Sequence, residues 1–165
     1  MRIPSIVFGS LIALSVGPAW SHGGGHEKKP SAKPAQVNAE EHAFGRAGDP
    51  KKVSRTIKVG MDDTMHFTPG DLTLKKGDTV KFVVSNKGKI MHEMVIGTMK
   101  ELKEHAELMK KFPEMEHDEA YMAHVAPGKQ GEIVWQFSRA GEFFYACLIP
   151  GHLEAGMIAR IVAKG

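Results

Sequence analysis

What most constrains the fold of this chain is a series of short segments in which apolar and polar residues alternate, each closed by a turn signal. Thr56-Ile57-Lys58-Val59, Asp71-Leu72-Thr73-Leu74 and Thr79-Val80-Lys81-Phe82-Val83-Val84 are such segments, set off by Pro69-Gly70, Lys76-Gly77-Asp78 and Asn86-Lys87-Gly88. Successive side chains of a strand point to opposite faces, so a period of two buries one face and wets the other. A second group, Glu132 to Phe137, Glu142 to Cys147 and Met157 to Val162, is separated by Arg139-Ala140-Gly141 and by one longer loop. About seven short strands punctuated in this way predict an all-β sandwich.

One helix interrupts the pattern. Thr98 and Glu101 stand at capping-box spacing, and Met99, Leu102, Ala106 and Met109 then recur at helical intervals until Phe112-Pro113 ends the run. The spacing predicts a helix near 99–112, inserted between strands, with Glu107 and Lys111 as an i,i+4 ion pair. No internal repeat is present.

At the N-terminus, Arg2 precedes an apolar run from Ile3 to Val16 and a small-residue step at Ala19-Trp20-Ser21. That pattern is a secretory signal peptide over residues 1–21, too short to span a bilayer, so export to the periplasm is expected without membrane insertion after cleavage. Residues 22–52 are rich in Gly, Pro, Ala, Lys and Glu with a single aromatic residue, and predict a flexible arm. Residues 53–165 are then one folded domain. The net charge of +3, with signs interspersed, leaves no electrostatic footprint for nucleic acid.

The chemistry concentrates in one loop. Cys147 to Met157 reads CLIPGHLEAGM and holds the chain's one cysteine, with His152 five residues on and Met157 five beyond that. An exported thiol with no partner in its own chain needs another occupation, and metal ligation is the leading one. Copper changes valence most easily where two neutral imidazoles, one thiolate and a weak axial thioether surround it. Placing three of these groups between adjacent strands keeps the closure entropy small. Pro150-Gly151 is a turn pair that swings His152 back toward the thiol, and Gly156 is expected to let the backbone approach closely before Met157. The second imidazole is expected from His92 in NKGKIMHEMVIG, which follows a strand and a turn and precedes the apolar Met94-Val95-Ile96.

With Phe67-x-Pro69, GDTVKFVVSNKG ahead of His92, and C-x₄-H-x₄-M near the end, residues 53–165 resemble the cupredoxins, the type 1 copper family of plastocyanin, azurin and rusticyanin. The resemblance implies a Greek-key β-sandwich with one type 1 copper, cycling between Cu(I) and Cu(II), held by His92, Cys147, His152 and Met157. Many members carry Asn or Ser after the first histidine, pinning the two ligand loops together. Glu93 stands there in this chain, and the hydrogen bonding around Cys147 is expected to depend on it. The inserted helix and the segment KFPEMEHDEAYMAHVAPG look most like the periplasmic copper-tolerance cupredoxins of CopI type.

Nine histidines and ten methionines exceed the needs of one copper. His22 and His26 in HGGGH have no core to serve and are expected to capture extra, weakly bound copper. Met94, Met99 and Met109 are expected to fill core space. His66, His105, Met115, His117, Met122 and His124 are open to either reading.

Two functions fit these residues: a periplasmic copper-tolerance protein that binds or redox-handles copper, and a soluble electron carrier between respiratory partners. The partners expected are copper ions and a redox or copper-transfer protein. No enzymatic turnover is expected, because no two histidines are two apart, as an oxygen-reducing copper cluster requires, and one cysteine cannot build a binuclear centre.

Overall fold

In the computed structural model residues 40–113 and 117–165 are described. The expected signal peptide, HGGGH with His22 and His26, and Met115 lie outside them.

Ten strands form two five-stranded sheets among the described residues. In chain order they are β1 (Arg46–Ala47), β2 (Arg55–Asp62), β3 (His66–Thr68), β4 (Leu72–Lys75), β5 (Thr79–Asn86), β6 (His92–Gly97), β7 (Met122–Val125), β8 (Gln130–Gln136), β9 (Gly141–Ala146) and β10 (Ile158–Lys164). One sheet runs β1-β8-β5-β2-β3 and the other β4-β10-β9-β6-β7. Strand β5 sits centrally, parallel to β2 and antiparallel to β8, and Val80, Phe82 and Val84 from its inward face are fully buried. Tyr145, Ile161, Met94 and Ile96 meet them from the second sheet, so the predicted sandwich is the observed one. The strands beyond the expected seven include β1 and β3, with two and three residues, too short to display an alternation, and β7, whose four residues do not alternate between buried and exposed.

Helix α1 (Met99–Lys111) starts where the capping box predicts. Glu101 N–H donates to Thr98 Oγ1 at 3.3 Å, and the Glu101 carboxylate accepts from Thr98 N–H at 3.0 Å. Leu102 and Ala106 pack with Val95, Met122, Ala146 and Leu148, an apolar cluster distinct from the main core. The helix therefore covers the outer face of the second sheet, and β6 is buried along its whole length. The expected Glu107–Lys111 pair is replaced by Lys110, which bonds Glu107 at 2.7 Å and also reaches Glu154 at 2.6 Å in the loop after β9. Lys110 serves both carboxylates at once, tying the helix to that loop.

The expectation of a flexible arm ending at Lys52 needs correction over its described part. Strand β1 pairs antiparallel with β8, Arg46 opposite Gln136 and Ala47 opposite Trp135. The arm's single aromatic residue, Phe44, is 2% exposed, stacks on Trp135 with ring centroids 5.1 Å apart, and accepts the Trp135 indole N–H at its carbonyl, 3.0 Å away. One large aromatic contact and a short strand offset the ordering entropy that composition alone leaves uncompensated. Gly45 makes the turn between them at φ +123°, and a Cβ there would lie 2.1 Å from the Gln136 carbonyl oxygen. Gly45→Ala should therefore cost roughly 1–3 kcal/mol of stability, seen as a lowered thermal midpoint. An unchanged midpoint would show that the 44–47 segment does not hold the domain.

Candidate metal centre

Cys147 follows directly on β9 and its side chain is fully buried in the main core. The loop beyond it folds back on its own backbone. His152 N–H donates to Ile149 O at 2.9 Å, Ala155 N–H to Gly151 O at 3.0 Å and Met157 N–H to His152 O at 3.0 Å, while Cys147 N–H donates to Met157 O at 3.0 Å. These bonds fix Cys147, His152 and Met157 at one end of the β9–β10 pair. Gly156 serves this loop through its φ of +93°, which L side chains rarely adopt, and not through the close approach expected from sequence, since a Cβ there would meet nothing within 4 Å.

His92 opens β6 and is 0% exposed. Its ring Nε2 lies 3.1 Å from Asp63 Oδ1, and the Asp63 carboxylate also accepts Lys89 N–H at 2.8 Å, fixing the turn that leads into β6. Those bonds, the one from Lys89 first, hold the Asp63 carboxyl below its ordinary pKa. Asn86 braces the same turn, accepting Gly88 N–H and donating to the Ile90 and Val125 carbonyls, each at 2.8 Å. With Nε2–H donated to Asp63, the lone pair of His92 is on Nδ1, and Nδ1 is buried with no hydrogen-bond partner. A buried polar atom left unpaired is costly unless something else satisfies it.

His92, Cys147 and His152 each offer a ligand atom within 4.8 Å of the others. Cys147 Sγ is 3.1 Å from His152 Nδ1, and the two imidazole rings have centroids 5.0 Å apart. Met157, fully buried, belongs to the same core cluster as Cys147. Burial pushes the Cys147 thiol up to about 12. Burial, then the neighbouring His92, lowers the pKa of His152, so that ring stays neutral at neutral pH. A soft thiol and two imidazoles with lone pairs available, enclosed by apolar core, are a donor set that fits copper. Metal uptake must displace the thiol proton.

Glu93 joins the two ligand segments. Its backbone N–H points at Cys147 Sγ at 3.4 Å, and its carboxyl oxygen Oε1 accepts Leu148 N–H at 2.8 Å. The β6–β9 ladder explains this placement: Val95 lies opposite Ala146, so continuing the register by two residues brings Glu93 to Leu148. The other carboxyl oxygen meets His124 Nδ1 at 3.0 Å, because β7 pairs with β6 in the register that sets His124 opposite Glu93. This bond is the main cause of the raised pKa of His124. Glu93, only 2% exposed, thus pins the segment that carries His92 to the segment that carries Cys147.

Asp63 is the residue that sequence reasoning missed, and for His124, left open there, it missed the bond to Glu93. Asp63 is 29 positions from His92, in a turn whose spacing carries no metal signal, and it reaches the ring only because β2 and β5 run parallel with Met61 opposite Asn86. The methionines divide as expected in part: Met94 and Met109 are core residues and Met99 is half-buried, while Met61 and Met122 are also buried. His66 is exposed and stands outside the cluster.

The model of the family described as copper binding proteins, plastocyanin/azurin family, matches residues 53–164. A copper-resistant cuproprotein CopI from Rubrivivax gelatinosus is 46% identical over 140 residues, covering 85% of each chain. A copper-resistant cuproprotein CopI from Vibrio cholerae is 40% identical over 111 residues, 67% of this chain and 66% of that one. Among solved structures auracyanin B superposes with a TM-score of 0.63 at 18% identity, covering 73% of this chain and 96% of its own, a likeness of fold. With a match over more than half of its length, resting on the same domain that gathers His92, Cys147 and His152, the chain belongs to the plastocyanin/azurin family of copper-binding proteins.

Proposed function

We propose that this protein is an exported copper-tolerance cupredoxin that holds one copper ion through His92, Cys147, His152 and Met157, in the periplasm, and protects by keeping or relaying that ion. The observation that carries the reading is the buried, unpartnered Nδ1 of His92 in a cluster that already brings Cys147 Sγ to 3.1 Å from His152 Nδ1. Bound copper supplies one-electron chemistry. The chain's own residues do the rest. Asp63 keeps the His92 tautomer, Glu93 holds Cys147 and Leu148 to β6, and the apolar core around the thiol excludes water. The similarity to cuproproteins named for copper resistance supports tolerance as the purpose. Among the described residues no helix is long and apolar enough to cross a membrane. The site serves binding and electron passage and not turnover of an organic substrate.

Ile90 and Met91, 43% and 45% exposed just before His92, favour a second reading as an electron carrier, since apolar surface beside a ligand is where a redox partner docks. The two readings separate in the cell. Under the first, removal of the gene lowers growth on elevated copper; under the second, it lowers respiratory electron flow with copper tolerance intact.

Cys147→Ser should abolish the intense visible charge-transfer band of the Cu(II) form and should fail to restore copper tolerance to a strain lacking the gene. Survival of the band in this variant contradicts the assignment of Cys147. Glu93→Gln keeps the size of the side chain but changes what it offers Leu148 N–H and His124. It should shift the band or the reduction potential while the protein still binds one copper at the thiolate. An unchanged spectrum and potential would remove Glu93 from the account.

A further inference from the structure

We infer that His105, His117 and His124 form a second metal site, an all-imidazole site for a borderline first-row cation of the Cu(II) or Zn(II) kind, separate from the His92–Cys147–His152 cluster. The three rings come from helix α1, from the segment that follows it and from β7. His105 Nε2 and His117 Nε2 lie 2.7 Å apart, with ring centroids at 4.8 Å, and the His124 ring stands 5.9 Å beyond His117.

Two imidazole nitrogens at that separation share one proton, one ring donating and the other accepting. A metal can take the place of that proton. With bonds of about 2.0–2.1 Å at a tetrahedral angle, the nitrogens would sit about 3.3 Å apart, an opening of about 0.6 Å from the present pair. Such a change is within reach of His105, because its ring is half-buried on the edge of the helix and not packed in the core.

The third ring is held by a carboxylate on its other nitrogen. A metal-binding imidazole usually gives its second nitrogen to a carboxylate, which fixes ring and tautomer. His124 has Nδ1 on Glu93 Oε2 at 3.0 Å, while its Nε2 donates to the His117 carbonyl oxygen at 3.2 Å, so a metal must displace that proton as well before the ring can ligate. Burial, and then His117, lowers the pKa of His105, so its lone pair is available at neutral pH. None of these histidines touches the thiolate cluster directly, and the inference stands whether or not that cluster serves tolerance.

The test uses the full chain loaded with one equivalent of Cu(I), which is diamagnetic, titrated with Zn(II) and followed by the ring C–H proton resonances. Those of His105, His117 and His124 should shift together and saturate at one equivalent. Rings that do not move while Zn(II) binds elsewhere overturn the site. Calorimetry then compares the wild-type chain with one carrying His105→Gln and His117→Gln together. One Zn(II) equivalent should be lost, or weakened at least tenfold, while the visible band of the Cu(II) form keeps its intensity and so reports an intact fold. Equal stoichiometry and affinity in both proteins also overturn the inference. Loss of the visible band in that variant would show that the two clusters are not separate and would overturn the inference, whereas a wild-type chain with no such band would count against the thiolate cluster and leave the Zn(II) test standing.

Discussion

A single buried carboxyl group holds the candidate site together. Glu93 is 2% exposed, yet both of its oxygens are engaged, one by Leu148 N–H and the other by His124 Nδ1, while its own backbone N–H reaches the Cys147 sulfur. Burying such a group without partners costs several kcal/mol, so its position is tolerable only where β6, β7 and the start of the β9–β10 loop meet. The same requirement sets the spacing of His92 from Cys147, since Glu93 follows the histidine directly and Leu148 follows the cysteine.

The inserted helix makes that arrangement possible. On a bare sandwich the face of β6 that carries Glu93 and Val95 would look into solvent. Leu102 and Ala106 close over Val95, Ala146 and Leu148, and the chain returns from the helix into β7 with His124 beside Glu93. Lys110 continues the connection by bonding Glu154 in the ligand loop. The helix is thus an added layer of support on the side of the site away from the main core. It also brings His105 and His117 together at the edge of this layer, next to the histidine that Glu93 orients.

Much of this was legible in the sequence, for reasons that differ by element. The alternation in residues 79–84 and the capping box at Thr98 and Glu101 are local signals, and both correspond to the observed strand β5 and helix α1. His92, Cys147 and His152 were legible because a thiol and an imidazole five apart in one loop leave little freedom, and the structure gathers these three. Contacts set by strand register were not legible. The bond of Asp63 to His92 depends on β2 lying parallel to β5, and the bond of His124 to Glu93 on a four-residue strand. Phe44 was hidden for another reason. Its surroundings are compositionally those of a linker, and only the exposed edge of β8 and the Trp135 ring give it somewhere to pack.

The central claim is that the buried thiol and the two imidazoles close on one copper ion. X-ray absorption at the copper edge, on the full chain carrying one equivalent, tests it most directly. The account predicts one sulfur and two nitrogen neighbours at bonding distance in both the Cu(I) and the Cu(II) forms, with little change between them. A shell of nitrogen and oxygen alone, in either valence, would contradict it.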